Sequence, residues 1–379
     1  MTGHMRIGLV CPYSLTVPGG VQAQVLGLGR ELRRQGHEAR VLGPCDGPPP
    51  ESFVTPLGNS LPTAANGSIA PLAPDASAVL RTIRALNDEE FDVIHVHEPM
   101  APGPTMTTVT MRPAPLVGTF HAAGRSTSYV VFKPVVRWLT ERIDHKVAVS
   151  KDALALAQTH LGGEYEVLWN GVELDVVANA RPAPADAPTI FFCGRHEERK
   201  GLAVLLEAMG ELPASTRLWI ASDGPDGPRL RADYAGDERM TWLGRISEAE
   251  KFARLKGASV FCAPSLHGES FGVVLIEAMA AGTAVVASGL DGYRNVATDG
   301  VDAVLVEPGD PAALAGALRR VLDDDVLAAH LRDNGARRAG DFSMATLAAT
   351  YVHIYERVVA ADAVAAAGRR RRWRRALQR

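Results

Sequence analysis

The chain has few cysteines and none of the spacings that bind zinc or form redox pairs. Four cysteines occur in 379 residues, and no two of them form a CxxC motif. Cys11, Cys193 and Cys262 lie in or beside apolar runs, as buried free thiols do. The cysteines therefore favour a reducing compartment over a disulfide framework, and we expect a cytoplasmic protein.

Long apolar runs and an N-terminal signal are also missing from the sequence. No run approaches the roughly 20 apolar residues that span a bilayer, and the first residues do not resemble a signal peptide. Hydrophobic residues still make up 46% of the chain, which is enough for globular cores. The length of 379 residues predicts two or more domains.

The chain as a whole has little net charge, but its end is strongly basic. The formal net charge is -3 at pH 7, although seven arginines lie between Arg369 and Arg379. The remainder is acidic, which disfavours a nucleic-acid binder. The basic tail is open to three interpretations: a solvated end, a nucleic-acid arm, or an anchor on anionic lipid.

Two series of alternating strand-like and helix-like segments organise the chain. The Pro- and Ala-rich stretch from Ala178 to Pro188 lies between them and is interpreted as an interdomain linker. The alternation predicts an α/β fold of two doubly wound, Rossmann-like domains that face a cleft. Residues 44–74 are predicted to be irregular. The predicted parts are a first domain over 5–172, a second over 173–349, a helix over 350–367 that packs back on the first domain, and a basic tail over 368–379.

The first domain has a glycine pair before a helix but lacks a dinucleotide-binding fingerprint. Gly19-Gly20 follow the first strand, and such a pair lets backbone N–H groups approach a ligand. No GxGxxG motif is present and no acidic residue closes the second strand, so a nicotinamide cofactor is disfavoured. Taken alone, the pair is more often an ordinary turn.

Three histidines lie on predicted strands of the first domain. His95 and His97 share one face of a strand, but no third metal ligand is evident. We therefore expect packing or hydrogen-bonding roles for both, with His97 and Glu98 near the cleft. His121 ends the next strand, ahead of a small-residue loop, where parallel sheets bind ligands. It is therefore a candidate functional residue, although a lone histidine at a strand end is more often structural.

The second domain carries two glutamates eight positions apart. Glu269 lies in a Gly/Ser-rich turn, and Glu277 lies in a helix predicted to start near Phe271 and to end at Gly282. N–H groups at the start of that helix can hold an anion such as phosphate. The alternative is an amphipathic helix whose acidic cap merely favours the helix dipole.

Basic residues in an equivalent loop complete a candidate anion site. Arg195 and Lys200 lie in the loop that leaves the first strand of the second domain. Because loops at one edge of a parallel sheet converge, these cations and the helix start suit a diphosphate leaving group. The alternative is a surface ion network among the charged residues 197–200.

No acidic motif of the sequence calls for a metal. A DxD motif is missing from the predicted strand ends, and Asp323-Asp324-Asp325 lies between two helices, where it is predicted to be a helix cap. Mg²⁺ is compatible with the sequence but not indicated, and no cofactor is required.

Together these residues resemble the retaining GT-B glycosyltransferases of family four. The resemblance covers nearly the whole chain and is carried by Gly194-Arg195 through Lys200-Gly201 and by the paired glutamates. Pro18-Gly19-Gly20-Val21-Gln22 and Asn66-Gly67-Ser68 narrow it to members that mannosylate phosphatidylinositol. It implies a GT-B fold, GDP-mannose as nucleotide-sugar donor and phosphatidylinositol as acceptor. It also implies peripheral binding to an anionic membrane surface, at the inner face of the plasma membrane.

The resemblance further implies roles for individual residues. The implied catalytic residues are His121 and Glu269. The implied donor-binding residues are Gly20, Arg195, Arg199, Lys200, Ile246, Lys251, Glu269, Ser270, Phe271, Gly272, Val273 and Glu277. The implied acceptor-binding residues are Tyr13, Gln22 and Asn66, and Arg125, from another loop, is added as a candidate to replace the family's basic residue after Asn-Gly-Ser. A phosphate oxygen of the donor would accept the acceptor's proton, so the implied reaction needs no protein base.

The sequence departs from this family on the acceptor side. The family's basic residue after Asn-Gly-Ser is replaced near Pro71, and the basic helix is reduced to Arg81 and Arg84. Ala122 and Ala123 follow the histidine in place of small polar residues. The alternatives are a family member with another donor or acceptor, a sugar-nucleotide epimerase, or a non-catalytic lipid- or nucleotide-binding protein.

Overall fold

The chain divides into two structural units. Unit 1 comprises Met1–Gly171 and Met344–Arg379, and unit 2 comprises Val172–Ser343. The chain therefore passes from unit 1 into unit 2 and then back into unit 1. The computed structural model describes residues 3–65, 68–122, 129, 132–269 and 271–377.

Parallel strands form the centre of each unit, and helices follow most of them. The strands of unit 1 are β1 (Arg6–Val10), β2 (Glu38–Gly43), β3 (Val54–Pro56), β4 (Leu61–Ala65), β5 (Ser68–Leu72), β6 (Val93–His97), β7 (Leu116–Phe120), β8 (His145–Ala148) and β9 (Glu166–Val167). The strands of unit 2 are β10 (Thr189–Cys193), β11 (Arg217–Ala221), β12 (Met240–Gly244), β13 (Val260–Ala263), β14 (Ala284–Ser288) and β15 (Val304–Val306). The α-helices are α1 (Gly20–Arg34), α2 (Ala76–Asp88), α3 (Pro104–Met111), α4 (Lys133–Glu141), α5 (Lys151–Leu161), α6 (Leu174–Asn179), α7 (Leu202–Ala208), α8 (Gly227–Asp233), α9 (Glu248–Gly257), α10 (Val273–Ala280), α11 (Asp291–Arg294), α12 (Pro311–Asp323), α13 (Asp325–Gly340) and α14 (Met344–Leu377).

The main sheet of unit 1 has the strand order β3-β2-β1-β6-β7-β8-β9, with parallel pairing throughout. All residues of β6 and β7 are buried, as expected for strands in the middle of a parallel sheet. The strand order reverses between β1 and β6. Because ligands of such sheets bind at the carboxyl ends of the strands beside the reversal, the loops after β1 and β6 are the natural site of unit 1.

The C-terminal helix completes the core of unit 1. Met344, Tyr351 and Tyr355 of α14 pack in the same buried cluster as Ile7 of β1 and Val25 of α1. Full burial of a large apolar side chain contributes about 1.5–3 kcal/mol. The helix therefore supplies part of the structural core of unit 1, although it lies after unit 2 in the sequence.

Unit 2 repeats the same architecture with the strand order β12-β11-β10-β13-β14-β15, again parallel. Here the order reverses between β10 and β13. The loop after β10 contains the predicted cations, and the loop after β13 contains Glu269. Because both loops leave the same edge at the reversal, the fold brings these charges together.

Two glycines bound the helix that follows the Glu269 loop. The prediction of a helix from near Phe271 to Gly282 is confirmed, since α10 spans Val273–Ala280. Gly272 precedes it with φ 87°, and Gly282 follows it with φ 73°, both in the left-handed region. A Cβ on Gly272 would lie 2.7 Å from the ring of Tyr293, whereas a Cβ on Gly282 would meet nothing within 4 Å.

Several predicted elements are confirmed and others are wrong. Asp324 caps α13 by accepting from the N–H of Leu327 at 2.9 Å, as predicted. The prediction of irregular structure over 44–74 is wrong, because β3 adds to the edge of the main sheet and β4 pairs with β5 as an antiparallel hairpin. The Pro and Gly content of this segment predicted loops, although its short strands pair with each other and with the edge of the main sheet.

The predicted interdomain linker at residues 178–188 is also wrong. This segment belongs to unit 2, where the N–H of Ala183 donates to the carbonyl of Ala253 at 2.8 Å. Lys256 Nζ donates to the carbonyls of Ala178 and Ala180 at 2.7 and 3.1 Å. Hydrogen bonds to backbone groups of this Pro- and Ala-rich stretch, which composition does not reveal, hold it against α9 of unit 2.

The last helix is longer than predicted. It runs to Leu377, so the backbone of residues 368–377 in the basic tail is helical. Among the described residues, none of the helices has the length and apolar character needed to cross a bilayer.

Substituting Gly272 by Ala should destabilise unit 2 more than substituting Gly282 by Ala. Left-handed backbone costs an L-residue roughly 1–2 kcal/mol in both variants. In Gly272→Ala the new methyl group also collides with Tyr293, which adds about 1–3 kcal/mol. Hydrogen exchange at the β13 and β14 amides measures the difference. Equal losses in the two variants would show that the contact with Tyr293 has no energetic effect.

Candidate active site

In unit 2, one carboxylate oxygen of Glu269 accepts hydrogen bonds from three side chains. Glu269 Oε1 accepts from Lys200 Nζ at 2.5 Å, from Ser265 Oγ at 3.1 Å and from Arg199 Nη1 at 3.4 Å. Ser265 Oγ also lies 2.9 Å from the hydroxyl of Tyr293. The loop after β10 and the loop after β13 are therefore joined through Glu269.

Arg195, the other cation predicted in the loop after β10, is more exposed to solvent than Lys200. The Arg195 side chain is 47% exposed, and its Nε lies 3.8 Å from Glu197 Oε2. Glu197 also pairs with Arg199 Nη2 at 2.6 Å. Of the ion network that the sequence allowed as an alternative, the pair of Glu197 and Arg199 is present, while Arg199 and Lys200 also contact Glu269.

A second carboxylate of unit 2 is paired with a buried lysine. Glu277 Oε1 accepts from Lys251 Nζ at 2.7 Å, and these side chains are only 12% and 16% exposed. Burial works against the charge on Lys251, but the Glu277 carboxylate outweighs it, so the pKa of Lys251 is raised. Ile246, in the turn after β12, is partly buried. The predicted residues Lys251 and Glu277 thus form one pair.

The backbone at the start of α10 supplies further donors. Val273 is the first residue of this helix and Gly272 its N-cap, so their N–H groups lie at the positive end of the helix dipole. The Phe271 side chain is buried, with its ring edge-on to Phe342 at 5.5 Å between centroids. Ser270 lies outside the described residues.

In unit 1, three imidazoles form a stack at the ends of β6 and β7. The rings of His95 and His97 are 4.2 Å apart between centroids, and those of His97 and His121 are 5.3 Å apart. His97 Nδ1 lies 3.0 Å from His121 Nε2. The expected hydrogen-bonding roles of His95 and His97 are thereby confirmed.

Side chains from β7 and α14 hold the deepest histidine of the stack. His95 Nδ1 lies 2.7 Å from the hydroxyl of Tyr355, and His95 Nε2 lies 2.7 Å from Thr119 Oγ1. Thr119 Oγ1 in turn lies 3.0 Å from the hydroxyl of Tyr351. Both nitrogens of His95 are therefore satisfied within the core.

Burial keeps the stack neutral. It lowers the pKa of His95 and of His121 to about 3, with His121 and His145 adding to the shift at His95. Burial also lowers the pKa of His97 well below its usual value, with His95 and His121 as further causes. A pocket of unit 1 is lined by His97 and His121. Neutral imidazole, not imidazolium, therefore faces this pocket.

Glu98 holds the main chain beneath His121. Its Oε1 accepts from the backbone N–H groups of His121 and Ala122. Burial raises the pKa of Glu98 to about 7, although these two N–H groups oppose the shift. The backbone of Glu98 has φ 48°, an uncommon value for a residue with a side chain. Such local strain persists where the surroundings impose it, often at functional sites.

Of the four residues predicted to bind the acceptor, the structure describes Tyr13 and Gln22. Tyr13 pairs with Leu72 in a β-bridge, and burial, with a contribution from Glu98, raises its pKa. Gln22 of α1 is buried and its Nε2 donates to the carbonyl of Ser14 at 3.4 Å, so its side chain faces the loop that precedes α1. Gly20 begins α1 and is exposed. The predicted residues Asn66 and Arg125 lie outside the described residues.

Sequence reasoning missed several groups that hold these sites. Ser265 and Tyr293 support Glu269, and no pattern in the sequence pointed to them. Tyr351 and Tyr355 lie four apart on α14, a spacing that places both on one helix face. The spacing could have predicted that both tyrosines face the same neighbour, but no local sequence pattern identifies that neighbour as His95. Among the described residues, no group of three or more His, Cys, Asp or Glu side chains could hold a metal ion.

Acidification should weaken unit 1 more than unit 2. The pKa values of His95, His97 and His121 lie below the usual 6.5 in the folded state, so the unfolded chain binds more protons as the pH falls through 6.5. Glu98 opposes this trend, because its raised pKa lets the folded state bind a proton between about pH 7 and 4.5. The opening free energy of β6 and β7 should be about 2 kcal/mol lower at about pH 5.5 than at about pH 7.5.

Hydrogen exchange corrected for intrinsic rates measures this effect. The amides of β10 and β13 in unit 2 serve as the internal control. A loss at β6 and β7 no larger than that at β10 and β13 would contradict the assigned neutrality of the stack.

Two family models match the chain, and they divide it as the fold does. The model described as "Glycosyltransferase Family 4" matches residues 18–176. The model described as "Glycosyl transferases group 1" matches residues 187–324. The first lies mainly in unit 1 and the second in unit 2.

Curated relatives are similar over almost their entire length. The phosphatidyl-myo-inositol mannosyltransferase of Mycobacterium leprae is 41% identical over 366 residues, which cover 93% of this chain and 97% of that protein. The protein of the same name from Mycolicibacterium smegmatis is 39% identical, with 93% and 94% covered. The one from Propionibacterium freudenreichii is 34% identical, with 84% and 87% covered.

Solved structures agree on the fold. Sucrose-phosphate synthase from Thermosynechococcus elongatus superposes with a TM-score of 0.75 at 22% identity, covering 94% of this chain and all of that one. Anabaena HepE in complex with UDP and glucose gives a TM-score of 0.71 at 18% identity, covering 93% of this chain and all of that one. These matches confirm the predicted GT-B fold, with its two Rossmann-like domains. By the identity and coverage of its relatives, the chain belongs to the family four glycosyltransferases.

Proposed function

We propose that this enzyme transfers mannose from GDP-mannose to phosphatidylinositol, with retention of configuration, at the cytosolic face of a membrane. The observation that carries the proposal is the 38–41% identity to phosphatidyl-myo-inositol mannosyltransferases over at least 93% of this chain. The paired charges of unit 2 and the neutral histidine of unit 1 support the donor and the mechanism.

Unit 2 offers chemistry suited to a sugar diphosphate. Lys200 and Arg199 lie beside the loop that leads to the N-terminus of α10, and cations with helix N–H groups are common phosphate ligands. Glu269 holds both cations and can accept hydrogen bonds from sugar hydroxyls. Glu277, paired with Lys251, is assigned to the ribose, and Lys251 with Ile246 to the guanine.

The proposed reaction needs no protein base. The bond between mannose C1 and the donor phosphate oxygen breaks, and a bond from C1 to an inositol oxygen forms on the same face. The inositol hydroxyl proton passes to the departing phosphate oxygen, which yields GDP and mannosylated lipid. A histidine whose pKa is about 3 is a weak proton acceptor at neutral pH, so His121 suits a hydrogen-bonding role instead. Lys200 and the α10 N–H groups stabilise the charge on the departing diphosphate.

A surface of α4 supports membrane contact by unit 1. Phe132, Val135 and Trp138 are 50–59% exposed and lie three residues apart, on one side of the helix. The Arg142 guanidinium lies 5.0 Å from the Trp138 ring centroid. Exposed aromatic and aliphatic side chains beside basic residues are typical of helices that lie in a membrane interface. The Arg-rich end of α14 is a second candidate for contact with anionic lipid.

Transfer assays with matched donors and acceptors test the proposed function. With GDP-mannose and phosphatidylinositol vesicles the enzyme should release GDP and form a mannosylated lipid. Turnover with UDP-glucose, or with a soluble acceptor but not with the lipid, would overturn the donor or the acceptor assignment. Release of a new hexose without any acceptor would identify an epimerase instead.

Glu269→Ala should lower the transfer rate by about 100-fold or more, because it removes the group that joins the two site loops and leaves Lys200 without its acceptor. The matched control is Glu238→Ala, which removes an exposed carboxylate of the same unit. Full activity of Glu269→Ala, or equal losses in both variants, would contradict the assigned donor site.

Replacing Phe132 and Trp138 together by Ser should reduce binding to phosphatidylinositol vesicles by roughly 10-fold or more, because exposed apolar area no longer enters the interface. Val326→Ser, at a position of unit 2 that is 81% exposed, is the control for loss of surface hydrophobicity. Vesicle co-sedimentation measures both. Unchanged binding of the double variant would exclude α4 as the contact surface.

A further inference from the structure

His97 has one bonded ring nitrogen and one that is buried without a partner. Its Nδ1 lies 3.0 Å from His121 Nε2, while its Nε2 is fully buried with no hydrogen-bond partner among the described residues. The His97 side chain is only 2% exposed. No described residue bonds to the other nitrogen of His121, Nδ1, and His121 lines a pocket of unit 1.

The unpartnered Nε2 of His97 determines which of the two imidazoles donates the hydrogen bond between His97 and His121. Two neutral imidazoles can share a hydrogen bond only if one nitrogen carries a proton and the other offers a lone pair. If His121 donated, His97 would carry its proton on the buried Nε2, with no acceptor for it. Buried N–H groups without acceptors are rarer than buried lone pairs without donors. His97 therefore donates from Nδ1, and His121 accepts at Nε2.

We propose that His97 is a positioning residue that holds His121 with its proton on Nδ1, so that His121 donates a hydrogen bond to a hydroxyl of the transferred sugar. The choice of a sugar hydroxyl rests on the proposed function. The tautomer itself rests on the geometry of unit 1 alone.

Two further contacts keep His121 in this position. Glu98, the next residue after His97, binds the backbone N–H of His121, so consecutive residues at the end of β6 fix both its main chain and its ring. Behind His97, the ring of His95 stacks at 4.2 Å and is itself bonded on both nitrogens. The His97 ring therefore has a rigid support against which to hold its partner.

The role predicts opposite results for two substitutions of similar shape. In His97→Asn, the amide N–H can replace Nδ1–H, so turnover with GDP-mannose and phosphatidylinositol should stay within about threefold of the native rate. In His97→Leu the donor is lost, and kcat should fall by about 10- to 100-fold, as for other partners that orient functional imidazoles. The KM for GDP-mannose should change by less than about threefold, because His97 does not hold the donor in this proposal. Equal activity of the two variants overturns the proposal.

The tautomer can be measured without any substrate. Protein labelled with ¹⁵N-histidine should show a protonated Nδ1 and an unprotonated Nε2 for His121, assigned by comparison with His121→Asn. His97→Asn should keep this pattern, and His97→Leu should shift the proton toward Nε2. A native spectrum with the proton on Nε2 overturns the proposal even if His97→Leu does not fold. A native protein with the expected spectrum but no transfer of mannose would instead defeat the proposed function.

Discussion

The site of unit 1 depends on keeping charge away from three stacked imidazoles. They come together because parallel strands β6 and β7 end at the same edge, and burial holds their pKa values low. A proton on His121 would turn Nε2 into a donor facing the donor of His97, and the hydrogen bond that orients the ring would be lost. Neutrality is thus a geometric requirement as well as an electrostatic one.

The candidate site of unit 2 contains charged side chains, whereas that of unit 1 contains neutral histidines. These side chains form ion pairs with each other, Lys200 with Glu269 and Lys251 with Glu277. Pairing offsets the desolvation cost of partly buried ions, which would otherwise be several kcal/mol each. Under the proposed function, a phosphate ligand would share Lys200 with Glu269, and its affinity would reflect a competition between two anions. A site of this kind keeps its cations in place before the ligand arrives.

Patterns local in sequence predicted much of this structure. The strand, loop and helix around Glu269 were predictable because their signals all lie within about twenty residues of sequence. These signals are a buried apolar run, a glycine-rich turn and a glycine at the end of the helix. His121 was predictable as a strand-end residue for the same reason. The resemblance added two expectations that spacing could not give, namely GDP-mannose as the donor and separate roles for the two glutamates.

Other features depend on contacts that no local pattern records. The hydrogen bond between His97 and His121 requires knowing the register of β6 against β7. Tyr355 reaches His95 across 260 positions of sequence. The hydrogen bond from Gln22 of α1 to the carbonyl of Ser14 likewise depends on how the loop before that helix folds. The edge strand β3 exists because β2 offers it hydrogen bonds, not because of its own composition.

The return of α14 to unit 1 has a consequence for the order in which the protein forms during synthesis. Unit 2 is continuous in sequence and can fold once Ser343 has left the ribosome. Unit 1 begins earlier but lacks Tyr351 and Tyr355 until the C-terminal helix is made. The half of the enzyme that is translated first is therefore completed last, and the contacts of Tyr355 with His95 and of Tyr351 with Thr119 are among the final ones to form.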